Sequence, residues 1–191
     1  MQRLIDHGGM ALAVLIGGLL LAGCMISDQK DKNNDSEKVE MATPLGGLKV
    51  QTNIDPKDVG LSVYPGARLK PSEDSDHDKS ANVNIQTPFF GMKVIVLDYV
   101  TDDPPQKVVD YYKKDLGHYG KVVECQGTNT HIQADHLKLQ MDCSDSVHGD
   151  GVELKAGDDH AQHVVGVSPE GKGSEFALVY IRVRGDKDNT I

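Results

Sequence analysis

The sequence predicts an α+β domain, a mostly antiparallel sheet with one main amphipathic helix packed on a face. Three observations carry this expectation. Residues 92–100 form an almost continuously apolar, β-branched run, as a central strand does. Residues 137–143 and 177–184 alternate apolar and polar side chains, the period of a half-buried strand. After Asp102-Asp103-Pro104, Val108, Tyr112 and Leu116 recur at helical spacing. Several strands around one strong helix place that helix across one side of the sheet.

The chain opens with an apolar run over residues 8–22, rich in Leu, Ala, Gly, Val and Ile. It has the length of a signal-peptide core and is short and glycine-interrupted for a transmembrane helix, which needs about 20 apolar residues. The run ends in Leu21-Ala22-Gly23-Cys24. This tetrapeptide resembles the lipobox of bacterial lipoprotein signal peptides, which reads Leu, two small residues and Cys. The resemblance covers the leader. It implies that residues 1–23 are removed as a signal peptide and that Cys24 becomes the acylated first residue, held on a membrane by palmitate-type chains. Two or more acyl chains anchor stably where one gives marginal binding. An uncleaved signal anchor with an incidental cysteine is the alternative, since Asp6 opposes Arg3, the one fixed positive side chain of the leader. Met25 follows the cysteine, not the Asp that marks inner-membrane retention in enterobacterial lipoproteins. The resemblance therefore implies a place in the bacterial cell envelope, facing the periplasm or the cell surface, with the outer membrane favoured in a two-membrane bacterium.

Residues 24–47 read as the lipidated N-terminus and a flexible tether, because their polar, mixed-charge composition offers little apolar surface to offset ordering entropy. Residues 48–185 read as a single globular α+β domain, and 186–191 as a loose tail. Shorter strand candidates lie at 61–64, 83–86, 121–125, 152–156 and 163–167. The helix starts at Asp102-Asp103-Pro104, an Asp cap followed by Pro in the first turn. Val108, Tyr112 and Leu116, widened by Val109, form its apolar stripe, against polar Lys107, Asp110, Lys113, Lys114 and Asp115. Gly117 and Gly120 are candidate stops, and the pair Tyr111-Tyr112 reads as core and rim. The turn Tyr64-Pro65-Gly66-Ala67 together with this helix resembles a domain of uncharacterised bacterial lipoproteins and exported proteins. That resemblance spans roughly residues 61–125, implies the architecture and brings no activity.

Setting Cys24 aside leaves Cys125 and Cys143, an even remainder that in an exported chain suggests a disulfide. The two fall at the ends of adjacent strand candidates, with Cys143 on the apolar, inward side. The loop they close gives roughly 3 kcal/mol in the chain-entropy model. The alternatives are two buried free thiols or a redox pair, which needs a Cys-x-x-Cys spacing and a helix start that the sequence lacks at these cysteines.

The formal charge of −9 argues against a phosphate-binding surface, and hence against nucleic acid. The absence of Trp argues against a stacking platform for sugars or bases. Asp74, Asp76 and Asp78 open like a calcium loop, but Lys79 stands where the turn needs Gly and Ile85 where calcium needs Glu. His160 and His163, with Asp158 and Asp159, lie in a strand-rich stretch where three-residue spacing points the imidazoles to opposite faces. His131, His136 and His148 fall in expected loops with no spacing that makes them converge. Residues 166–171 miss the nucleophile-elbow pattern by one residue and read as a turn. Arg184-Gly185-Asp186 reads as a chance tripeptide. Phe89-Phe90 is expected to tuck under the sheet edge, and would anchor a partner if exposed.

No catalytic, metal-ligating or cofactor-binding residue is expected from these patterns. The reading they favour is a non-enzymatic envelope lipoprotein whose sheet surface binds or scaffolds an envelope protein. The alternative is a metal-dependent surface enzyme or metal-binding module using the His and Asp loops.

Overall fold

The computed structural model describes residues 25–30, 37–52, 54–71, 80–128, 134–135, 138–144 and 147–185. Their strands are β1 (Met25–Lys30), β2 (Glu37–Thr43), β3 (Gly46–Gln51), β4 (Arg68–Leu69), β5 (Ser80–Gln86) and β6 (Gly91–Thr101). After the helix α1 (Pro105–Leu116) come β7 (Val123–Thr128), β8 (Ala134–Asp135), β9 (Lys138–Leu139), β10 (Val147–Gly157), β11 (Ala161–Glu170) and β12 (Gly173–Arg184). Ten strands form one antiparallel sheet in the order β1-β2-β3-β5-β6-β12-β11-β10-β7, with β4 added on β6. β8 and β9 pair separately. The architecture is the mainly antiparallel sheet with one helix that the pattern predicts.

The helix lies over β10, β11 and β12. Its stripe Val108, Val109, Tyr112 and Leu116 is fully buried against Leu97 of β6, Phe176 and Leu178 of β12, Val165 of β11 and Leu154 of β10. Each such side chain contributes roughly 1.5–3 kcal/mol on leaving water. Aromatic rings knit the centre: Phe176 stacks on Tyr99 at 5.4 Å and meets Tyr112 at 5.6 Å. The helix cap differs from expectation. Pro104, with an extended backbone, occupies the cap position, and no side chain caps the helix. Asp103 instead accepts from Lys107 Nζ at 2.7 Å and from the Tyr64 hydroxyl at 2.9 Å. Those two bonds, Lys107 first, hold its carboxyl below the usual range. Gly117 opens a short 3₁₀ turn, and the chain leaves it at Gly120.

Five local expectations are corrected. Of residues 27–47, expected as a tether, 27–30, 37–43 and 46–47 lie in β1, β2 and β3, where Val39 and Met41 alternate with Lys38 and Glu40, and 31–36 lie outside the described residues. That period is hidden inside a polar composition. Residues 61–64 form no strand. Their amides are taken up by helix side chains instead: Ser62 N–H donates to Asp115 at 2.8 Å and Tyr64 N–H to the Tyr112 hydroxyl at 3.1 Å. The Tyr64-Pro65-Gly66-Ala67 turn forms as expected, closed by Ala67 N–H on Tyr64 C=O at 3.0 Å with Gly66 at φ 79°. Of residues 137–143, only Lys138–Leu139 is a described strand, because Asp142 takes the Ser144 amide and bends the chain. Residues 166–170 belong to β11, and the turn begins only at Gly171. The strand expected at 121–125 is shifted to Val123–Thr128, while those at 83–86, 152–156 and 163–167 sit inside β5, β10 and β11.

One titratable group is sealed into the helix side of the sheet. The His163 ring, on β11, stacks on Tyr119 at 3.7 Å and lies 5.0 Å from Tyr180. Gly60, in the left-handed region at φ 80°, lets the loop close over it: a Cβ there would stand 2.9 Å from the Tyr119 hydroxyl and 3.1 Å from His163 Nε2. His163 Nδ1 is buried without a hydrogen-bond partner among the described residues. Burial pushes this imidazole below its ordinary 6.5, against smaller opposing effects of the Val59 backbone and Asp115. A lowered histidine stabilises the fold fully above the unfolded value, and the benefit is lost as pH falls. Unfolding free energy is therefore expected to drop as pH goes below 6.5 and to level off beneath the folded-state value. Denaturant titrations at stepped pH check this, and His163→Gln should flatten that limb.

Candidate functional site

Residues directly opposite in an antiparallel sheet project to one side, so the register assigns each side chain to a face. On the face away from α1, one row reads Val39, Val50, Val83, Val94 and Ile181 across β2, β3, β5, β6 and β12. The next reads Met41, Leu48, Ile85, Met92 and Val183. Within these five strands neither row holds a charged residue, and on β1 the first row continues to Asp28. Alternation in each strand produces this surface, since Lys38, Glu40, Lys49, Asn84 and Lys93 all fall on the other side. Val39 and Met41 are exposed, at 37% and 38%, and the residues of β3 and β5 in these rows are half-buried. The main contacts of β2, β3 and β5 are with their neighbours in the sheet. Phe89, in the turn joining β5 to β6, is 69% exposed, while Phe90 is half-buried. The expectation that both rings tuck away fails for Phe89. Thr87 ties the turn by accepting both their amides and donating to Phe90 C=O, which leaves the Phe89 ring outside.

At its far end the same face is closed by a strap, residues 138–144. Leu139 of the strap is buried with Val94, Ile181 and Val183. Its amide donates to Asp159 C=O at 2.8 Å. Beneath the strap lies an ion pair, Lys155 to Glu153 at 3.0 Å, each side chain 5% exposed. Lys155 also donates to Asp142 C=O at 3.1 Å, and Gln162 donates to Asp158 C=O at 3.1 Å. A pair this buried is strongly destabilising to break, because the survivor is an uncompensated charge. The Cys125–Cys143 disulfide staples the strap to β7. Cys125 is buried, whereas Cys143 is exposed at the bend and does not lie on an inward strand face, because the strand expected to carry it does not form.

The acidic and histidine loop is a self-contained turn between β10 and β11. Asp158 accepts from the amides of His160 and Ala161, both at 2.8 Å. Asp159 takes Lys138 at 2.9 Å and His160 Nδ1 at 2.7 Å. The three side chains lie within 4.8 Å of one another. Lys138 holds the Asp159 carboxyl below the usual range, its ammonium 2.9 Å from Oδ2. His163 stands apart on the helix face, separated from His160 by the turn rather than by alternation within a strand. Cys24, Asp74, Asp76, Asp78, His131 and His136 lie outside the described residues, as do the side chain of His148 and the 186–191 tail.

Sequence patterns reached the disulfide pair and missed the open face and the buried ion pair. The signal for the face was the two-residue period over 38–51. Nothing in the order Glu153-Leu154-Lys155 distinguishes a buried pair from an exposed one. Comparison with family models, with curated proteins and with solved structures finds no match.

Replacing both Cys125 and Cys143 by Ala is expected to lower stability by about 3 kcal/mol, the loop-closure value for this separation. The strap should loosen first. Hydrogen exchange at the Leu139 amide, compared with core amides such as that of Leu178, distinguishes local release from global loss.

Proposed function

We propose that the chain is a lipid-anchored lipoprotein of the bacterial cell envelope whose domain is a non-enzymatic binding module, docking an envelope protein on the open apolar face of its sheet. The lipobox-like Leu21-Ala22-Gly23-Cys24 supports the anchor. The continuous uncharged surface across β2, β3, β5 and β6 supports the docking role, since large exposed apolar patches with polar rims mark interaction sites. Met41, Met92 and Phe89 fit the composition of protein interfaces, where Met and aromatic residues are enriched. The rim argues for a protein rather than a bilayer surface: among the described residues Asp98 and the Lys70–Glu175 pair bound it, a mixed rather than a cationic edge. The alternative, a metal-dependent module on the Asp158–His160 turn, is less well supported, because those side chains are engaged with the turn's own amides and with Lys138.

Two outcomes are expected. A fatty-acid probe fed to cells should label the chain, and Cys24→Ser should abolish the label and leave the leader uncleaved; persistent label would remove the anchor. A photo-cross-linking residue at Met41 should give a discrete envelope adduct that the same residue at Gln106, on the helix exterior, does not give. Val39→Glu should suppress that adduct. Equal adducts from both positions would refute docking on this face.

A further inference from the structure

The helix side of the sheet changes character beyond the reach of α1. There Lys49, Asn84, Lys93 and Arg182 stand in one row across β3, β5, β6 and β12. The adjoining row places Gln86 and Arg184 on either side of Gly91. Asn84, Gln86, Lys93, Arg182 and Arg184 line a hollow of about 300 Å³, and the missing side chain of Gly91 deepens it. A second hollow of about 310 Å³, lined by both Lys49 and Glu40, shares Asn84 and Gln86 and continues toward β2.

The charges in this groove run against the rest of the chain, which is net −9. Lys93 and Arg182 are direct cross-strand partners, and like charges directly opposite destabilise a sheet. Among the described residues, none of Lys49, Lys93, Arg182 and Arg184 forms an ion pair with a carboxylate. Glu40 faces Lys49 across the strands but pairs with Lys38 at 3.0 Å. Arg184 reaches the Thr87 carbonyl at 3.5 Å, and Lys93 lies 6.0 Å from the Tyr180 ring centre. Gathering unpaired cations in this way does not serve folding, and an anionic ligand would relieve it.

We propose that this groove binds a phosphate-bearing anion, with Lys93, Arg182 and Arg184 around the phosphate oxygens and the Asn84 and Gln86 amides donating from β5. Three cations at one hollow exceed the single charge of a carboxylate, whereas a phosphate group carries up to two charges and offers three acceptor oxygens to the planar guanidinium forks. The overall acidity of the chain does not oppose this, because the cations are concentrated by strand register into one place. The ligand can be a lipid phosphate headgroup or a soluble phosphate compound, and the groove reads the group they share.

The test uses the full chain purified in a neutral detergent at low salt. Inorganic tripolyphosphate should raise its melting temperature and bind saturably by calorimetry. Lys93→Gln combined with Arg182→Gln should weaken that binding by roughly tenfold or more, as expected when charged hydrogen-bond donors are removed. Without ligand the same double variant should melt at or above the parent temperature, because the opposed like charges are gone. Lys114→Gln combined with Lys121→Gln, exposed cations away from the groove, should leave binding unchanged. Micelles doped with phosphatidylglycerol distinguish the sources: a Lys93- and Arg182-dependent shift there points to a headgroup, and a shift with tripolyphosphate alone points to a soluble ligand. Equal binding by the parent and the groove variant, equal loss in the Lys114 and Lys121 control, or no shift with either probe would overturn the assignment. A groove variant that melts lower without ligand would make these cations structural and overturn it as well.

Discussion

A twelve-residue helix is about 18 Å long, while nine strands side by side span about 38 Å. That disproportion shapes the molecule. The helix seals β10, β11 and β12 into a core centred on Phe176 and Tyr112 and stops there. The rest of the sheet must be finished by sequence alone, and it is finished in two opposite ways. On the helix side the uncovered strands carry amides, cations and Glu40, which water satisfies. On the other side the same strands carry Val, Leu, Ile and Met, which water does not.

The disulfide strap shows how this chain deals with such a surface where it keeps the solution to itself. Residues 138–144 cover the β10–β12 end, Leu139 supplies the apolar contact, and Lys155 bonds the strap backbone. The cystine holds a segment with only two residues of regular structure in place. Over β2, β3 and β5 the described chain has no comparable cover. The contrast between a stapled half and an open half is what gives the open half its functional interest.

How much of this was legible depended on whether the signal was local. β6 and β12 announce themselves through unbroken apolar or alternating runs, and α1 through its stripe at 108, 109, 112 and 116, because burial on a face imposes a period that neighbours in sequence share. The disulfide was legible from a count of three cysteines. β2 and β3 were not, since Lys, Glu and Gln on the outward face dominated a composition that was read as a whole. The strand expected at 61–64 failed for the opposite reason: its apolar residues are buried by the helix flank, and its amides find Tyr112 and Asp115 rather than a neighbouring strand. The basic row could not be seen at all, because positions 49, 84, 93 and 182 become neighbours only through the register of four strands. The same blindness applied to Cys143, whose place at an exposed bend follows from the Asp142 turn and not from its apolar neighbours.

The sheet has two ends, and they are not alike. β7 is tied back through Cys125, whereas β1 stands outermost with one side of its backbone unpaired in the sheet. Such an edge is a template on which another chain can add a strand and begin to aggregate. β1 begins at Met25, one peptide bond after Cys24. If Cys24 carries acyl chains, as proposed, the bilayer lies near the N-terminal end of this edge strand, so that the membrane meets the domain at an edge of its sheet rather than at a face.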